Sequence, residues 1–304
     1  VSQEHPGPAR KGGEKMIIYQ AIDSADVIKH FYEVTGKRIK LNVLISYIYL
    51  AGNAVKVTKT YRDMIDNLCL DSGAYSVFTK KVNISVTEYL AYIKRYGDLF
   101  TTVFTLDDKF DDPEHNLRNQ NFLERGLEGK NWKPVPCIHD AGDPMGEIQT
   151  YIDQGHNYIA LGSLGIREKI SAKVMEDVKE KFPDVRFHLF GSLNRETLFR
   201  YRPFSADASS WAAEAGKSCI YYWDELDQKE YSIDLESRIK KDKKSSGKNV
   251  FYSTFHHREE LNTFLLNTFN YTYEDLLNTT LPRQIVNLYY LRQLQDIINS
   301  TPES

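Results

Sequence analysis

From Leu41 onward one pattern repeats along the chain: a short apolar run rich in β-branched and aromatic residues, then a longer stretch with apolar residues at three- and four-residue spacing. The short runs predict strands at 41–47, 68–71, 101–107, 134–139, 158–162, 186–191 and 204–207, with 219–223 a weaker eighth. The longer stretches VTEYLAYIKRYG, MGEIQTYIDQG and SAKVMEDVKEKF predict amphipathic helices. Strands alternating with helices predict an α/β fold around a parallel sheet, and seven or eight such units predict a (β/α)8 TIM barrel. A doubly wound sheet is the alternative, because periodicity alone does not close a barrel.

At the N-terminus, residues 1–15 are polar and rich in Gly and Pro, which predicts a disordered leader outside the fold. Residues 16–304 are expected to form one barrel domain. Within it, RIKKDKKSSGK (238–248) reads as a flexible basic connection, and 258–300 as helices packed on the barrel. In 304 residues, 41% hydrophobic and 27% charged content allows a sizeable core, while a net charge of −3 gives no global attraction to polyanions. Cys69, Cys137 and Cys219 stand far apart without a CxxC pair, which predicts neither disulfides nor a cysteine-rich zinc site. No apolar stretch reaches the roughly 18 residues that span a bilayer, and no signal peptide opens the chain, so a soluble cytoplasmic protein without membrane contact is expected.

Several predicted strands end in a polar group: Asp71, Asp107, His139, Ser163 and Asp207. In a TIM barrel such positions converge on one mouth. In LCLDSGAYS, Asp71 closes a strand, Gly73 allows a sharp turn or a close ligand, and Tyr75 can lie beside that ligand; the same residues also suit a plain strand-to-loop turn. Asp207, with Ser205, Ser209 and Ser210 around it, supplies a second acid on another strand, and two such acids suit nucleophile-plus-acid/base chemistry at a sugar carbon. The acids after the third strand, Asp107, Asp108, Asp111, Asp112 and Glu114, with His115, invite a divalent metal. A solvated helix start explains Asp111, Asp112 and Glu114 better. His139 reads first as a hydrogen-bonding loop residue and second as a general base. Gly162, Ser163 and Gly165 do not keep GxGxxG spacing. His256 and His257 look like a metal pair, yet adjacent residues diverge on a helix or strand, so they read as structural or surface residues. No metal site and no cofactor is expected.

Taken in order, these strand-end segments resemble the tRNA-guanine transglycosylase superfamily, and most of all its DpdA-type DNA-guanine transglycosylases of phages and bacterial DNA-modification clusters. The resemblance spans most of 41–223 and adds NLYYLRQLQDII near the C-terminus, similar to the family's last helix. LDSGAYS is similar to an Asp-Ser-Gly-Gly/Ala-aromatic-Gln motif, with Ser76 where Gln is usual. The resemblance implies a TIM barrel that replaces guanine in DNA with a preQ0-like 7-deazaguanine through a covalent glycosyl-enzyme. It implies Asp207 as nucleophile and Asp71 as general acid/base. It places Ser72, Tyr75, Asp107, His139 (where Gln is usual), Gly162, Ser163 and Phe190 around the base, with Tyr75 and Phe190 as the sandwich. The family's Cys3His zinc site and RNA-binding domain are absent from these residues, hence DNA rather than tRNA as the expected partner. Phosphate contacts are expected from Arg195, Arg200, Arg202, Lys240 and Lys241, although 238–248 also reads as a solvated linker. The alternatives are tRNA as acceptor, a non-catalytic nucleic-acid-binding subunit, and an unrelated metal-dependent hydrolase using Asp107, Asp108 and His139.

Overall fold

The strand-and-helix pattern is realised in a computed structural model that describes residues 14–22, 24–50, 60–75, 83–140, 142–162, 172–236 and 249–302. The expectations for Ser76, Ser163, Gly165, Lys240, Lys241 and the 238–248 connection, like most of the 1–15 leader, lie outside the described residues. The chain groups into two compact units: Val1–Asp23 with Asn42–Ala208 and Thr301–Ser304, and Ser24–Leu41 with Ser209–Ser300.

The first unit holds eight parallel strands: β1 (Ile17–Ala21), β2 (Leu41–Ser46), β3 (Ile65–Asp71), β4 (Thr102–Val103), β5 (Cys137–Ile138), β6 (Tyr158–Leu161), β7 (Arg186–Leu189) and β8 (Ser205–Ala208). Their spatial order is β4-β3-β2-β1-β8-β7-β6-β5. The two edges of that order meet through a parallel bridge between Phe104 and Val135, where Thr105 N donates to Val135 O at 2.9 Å and Val135 N to Val103 O at 2.8 Å. Each strand therefore has its sequence neighbours as spatial neighbours, the connectivity of the predicted TIM barrel.

The count of strands is reached differently from the expectation. The apolar run IIYQA, ahead of the first predicted strand, is β1, and 219–223 is no part of the barrel. By composition the two runs are alike; what separates them is pairing, since β1 lies parallel between β2 and β8. Regular pairing in β4 and β5 covers two residues each, shorter than 101–107 and 134–139 predicted.

Register fixes which side chains share the barrel interior. Cys137 pairs with Ala160, Ala160 with His188, and His188 with Ser205, so these four face one way at one level. Side chains alternate along a strand, so the residues two further on, His139, Gly162, Phe190 and Asp207, share the next level toward the C-terminal ends. Below them a buried cluster of Tyr19, Leu44, Cys69, Phe104, Val135, Cys137, Tyr158 and Ala160 fills the barrel.

Among the described residues of this unit, five helices of more than one turn join the strands: α2 (Val86–Tyr96), α3 (Pro113–Gly126), α4 (Pro144–Asp153), α5 (Ala172–Lys181) and α6 (Arg195–Tyr201). Asp-Pro pairs start two of them. Asp112 accepts the His115 amide at 2.8 Å and Asp143 the Gly146 amide at 2.9 Å, each followed by Pro in the first turn, where no amide is needed. Asp111 and Asp112 thus belong to the helix start that the sequence favoured.

The second unit contains α1 (Ala25–Val34), α7 (Ser210–Gly216), strands β9 (Cys219–Asp224), β10 (Lys229–Asp234) and β11 (Val250–Phe251), and helices α8 (Arg258–Phe269), α9 (Tyr273–Asn278) and α10 (Thr280–Ser300). β9 and β10 run antiparallel, β10 and β11 parallel. The helical tail is present as three helices. Asn287 of α10 is fully buried: its Oδ1 accepts Tyr221 N at 2.7 Å, and its Nδ2 donates to Trp211 O at 3.0 Å and Cys219 O at 3.3 Å. No described helix is long and apolar enough to cross a membrane.

Replacing Asn287 by Leu keeps the volume but removes the side-chain partner of three backbone groups, so a loss of about 2–4 kcal/mol is expected in urea unfolding followed by circular dichroism. A loss within experimental error contradicts this role.

Candidate active site

Three carboxylates stand at strand ends of the barrel mouth. Asp71 ends β3, and its Oδ2 accepts from Ser46 Oγ at the end of β2 at 2.9 Å and from Gly73 N at 3.0 Å. Gly73 makes that turn possible on two counts: its φ is +87°, and a Cβ there would lie 2.5 Å from Ile48 Cγ2. The Asp71 carboxyl is pushed up to about 7, chiefly by removal from water and then by the Asp107 carboxylate, with Asp207 adding to it; the Ser46 and Gly73 hydrogen bonds offset part of the effect.

Asp107, beyond β4, is buried. Its Oδ1 accepts from Ser72 Oγ at 3.2 Å and its Oδ2 lies 2.8 Å from His139 Nε2. The His139 ring is held on both sides: Phe110 is 4.6 Å away between ring centroids, and a Cβ on Gly162 would come within 2.4 Å of its Cε1. From α4, Glu147 Oε2 accepts the His139 amide at 2.9 Å and the Asp140 amide at 2.7 Å, which fixes the end of β5. Burial raises the Glu147 carboxyl in spite of these two bonds.

Asp207 on β8 accepts the Gly191 amide at 2.7 Å, and its Oδ1 lies 3.4 Å from Nε2 of fully buried His188. The other ring nitrogen of His188 is 2.8 Å from Ser205 Oγ, itself 2.7 Å from Tyr158 OH. A polar chain thus runs through the barrel interior to Asp207. Burial lowers the His188 pKa, against the pull of Asp207, and favours the neutral imidazole.

The structure brings Asp71, Ser72, Asp107, His139, Gly162 and Asp207 to one mouth. It adds Ser46 and His188, which sequence reasoning missed. Ser46 follows the same strand-end rule that pointed to Asp71; His188, one level deeper in FHLF, carries no such signal. Tyr75 is 69% exposed, while partly buried Phe190 packs on Phe104 and His188 with centroids 4.6 and 4.5 Å apart.

Three of the expected arginines have partners within the chain. Arg195 lies over the Phe199 ring at 5.2 Å, and Arg200 pairs with Glu176 at 3.0 Å. Arg202 donates to the carbonyls of Thr301 and Pro302 at 2.6 and 2.8 Å. α6 runs from the end of β7 back to the start of β8, so Arg200 and Arg202 sit toward the barrel end opposite the mouth. The Asp107-Asp108-His139 grouping also divides, because Asp108 turns to His115 Nε2 at 2.9 Å and Asn119 Nδ2 at 3.0 Å.

A metal could instead draw on Asp107, Cys137 and His139, whose ligand atoms lie within 4.8 Å of one another. Burial, with the Asp107 carboxylate, raises the Cys137 thiol well above its usual range and keeps it protonated. A cavity of about 350 Å³ lies at the strands' other end, lined by Thr102, Lys130, Trp132, His156 and Tyr158 among others. Two of its ionisable groups are taken up in ion pairs, Lys130 with Asp98 and His156 with Glu124.

No protein-family model matches this chain, and no curated protein matches it in sequence. Among solved structures it is similar to a "putative fructose-1,6-biphosphate aldolase" from Coccidioides immitis, at 11% identity and TM-score 0.54, over 95% of this chain and 94% of that one. A fructose-bisphosphate aldolase from Campylobacter jejuni gives 11% identity and TM-score 0.47, over 95% and 92%. The first likeness establishes the barrel fold. The expected guanine exchange in DNA, its tRNA alternative and the non-catalytic subunit are corrected here: the similar barrel is described as a putative aldolase, and no comparison supports a transglycosylase.

Asp71→Asn removes one charge from this crowd. With the carboxyl raised to about 7, wild-type Asp71 stays protonated when folded but ionises near 4 when unfolded, so its contribution to stability falls as pH rises between those values. The melting temperature of Asp71→Asn relative to wild type should climb by several degrees from about pH 4 to about pH 7 and then level off. A flat difference across that window contradicts the assignment.

Proposed function

We propose that the barrel unit is an acid–base enzyme in which Asp71 transfers a proton to or from a substrate at the mouth, beside Asp207 and Asp107. The single observation that carries this reading is the Asp71 carboxyl, raised to about 7 by removal from water and two neighbouring carboxylates. At neutral pH such a group is present in both protonation states, the condition under which a general acid or base works best.

The surroundings narrow the substrate. Among the described residues, the hydrogen-bond and ion-pair partners of the three carboxylates are serine hydroxyls, histidines and backbone amides, with no Lys or Arg. A mouth of this charge favours uncharged or cationic ligands and transition states that gain positive charge. The reaction class that fits is acid-assisted departure of a leaving group from a carbon that becomes cation-like, such as an acetal carbon. Asp71 protonates the leaving group, and the Asp207 carboxylate, held by Gly191, faces the developing charge. Aldol cleavage of a sugar bisphosphate fits less well, because its phosphates would enter a ring of carboxylates.

The test compares a protonated, hydroxylated cyclic amine with its neutral ring-oxygen counterpart by calorimetry at pH 8. The amine should bind at least about ten-fold more tightly, an advantage of about 1.4 kcal/mol, and Asp71→Asn or Asp207→Asn should abolish the preference. Equal affinity for both ligands, or a preference unchanged in both variants, overturns the reading.

A further inference from the structure

A second cluster of ionisable side chains lies wholly within the other unit, around the turn between β9 and β10. Asp224 ends β9, and its Oδ1 accepts the amides of Leu226 at 2.8 Å and Asp227 at 3.2 Å. That leaves Oδ2 to meet His257 Nδ1 at 2.7 Å. Asp227, in the turn itself, presents Oδ2 to His256 Nε2 at 2.8 Å and to His257 Nδ1 at 3.9 Å, and accepts the Tyr231 hydroxyl as well.

The two histidines do not diverge as expected of neighbours. That rule holds inside a helix or strand, and His256 and His257 occupy the turn just before α8, with His257 at φ −103° and ψ 43°. Released from either periodicity, both rings turn to the acids of the β9–β10 turn, His256 to Asp227 and His257 to Asp224, and come within 4.2 Å of each other between centroids.

We propose that Asp227, His256 and His257, with Asp224 beside them, form a surface site for a divalent transition-metal ion of the zinc type. Their ligand atoms lie within 4.8 Å of one another. An ion bound at about 2.0–2.2 Å to two imidazole nitrogens and a carboxylate oxygen requires ligand atoms somewhat over 3 Å apart, and the separations of 2.8 and 3.9 Å bracket that spacing. Two imidazoles with carboxylate suit zinc, nickel, copper or cobalt rather than magnesium or calcium.

Electrostatics favour an ion over a purely ion-paired cluster. Two carboxylates face these rings, so a single dication held there is met by two negative charges. The amino end of α8 opposes a cation, and Glu259 and Glu260 in its first turn counter that effect. A supporting shell is present: the turn amides orient Asp224, and the Tyr231 hydroxyl orients Asp227. The side chain of His256 is 54% exposed, so the ion can enter and retain water in an open position. Bound there, it would tie the β9–β10 turn to the start of α8.

The probe is cobalt(II), titrated into the full chain after chelation and dialysis. One equivalent should bind with the d–d bands of a nitrogen–oxygen site and without sulfur-to-cobalt charge transfer, and zinc should displace it. His256→Gln with His257→Gln should weaken binding at least about ten-fold; the single exposed change His256→Gln serves if the double variant unfolds, and should also weaken it. Absence of stoichiometric cobalt binding, a charge-transfer band marking the buried Cys137 group, or undiminished affinity in the histidine variants overturns the proposal.

Discussion

Mutual repulsion among Asp71, Asp107 and Asp207 is the constraint on which the rest of the mouth depends, for like charges brought out of water at adjacent strand ends persist only when the surrounding groups compensate them. Each acid has its own set of donors: Ser46 and the Gly73 amide for Asp71, Ser72 and His139 for Asp107, the Gly191 amide for Asp207. Compensation is unequal. Asp71 receives only a hydroxyl and one amide against burial and two neighbouring charges, and it is the carboxyl that is driven up to about 7.

This arrangement requires the barrel to close. The Phe104–Val135 bridge joins the β3–β4 side, which supplies Asp71 and Asp107, to the β5 side, which supplies His139. It also requires missing side chains. At Gly162 a Cβ would strike His139 and Cys137, and at Gly73 one would strike Ile48. The polar chain Tyr158–Ser205–His188 then reaches Asp207 from below, through an interior that is otherwise largely apolar.

Much of this was legible in the chain. All seven main predicted strands start within about three residues of observed ones, and the helix start around Asp111, Asp112 and Glu114 was plain, because alternation and capping are local properties. Asp71, Asp107, His139 and Asp207 were legible for the same reason: each follows an apolar run. Pairing is not local, so IIYQA could not be recognised as β1, nor 219–223 as part of another sheet. His188 gave no signal because its role depends on register with Ser205. The divergence expected of His256 and His257 fails because the rule for neighbours assumes a regular backbone that the turn does not have. The order of motifs that resembled guanine transglycosylases led to the expectation of base exchange, for which the comparisons give no support; the similar barrel is described as a putative aldolase.

The central claim is that one carboxyl at the mouth holds its proton to near neutrality. The most direct measurement is the protonated-carboxyl stretch in infrared difference spectra, followed from pH 4 to pH 9 in wild type and in Asp71→Asn. One carboxyl should lose its proton with a midpoint near 7, and that titration should vanish in the variant. If no carboxyl titrates near neutrality, or if the neutral titration survives in Asp71→Asn, the account is contradicted.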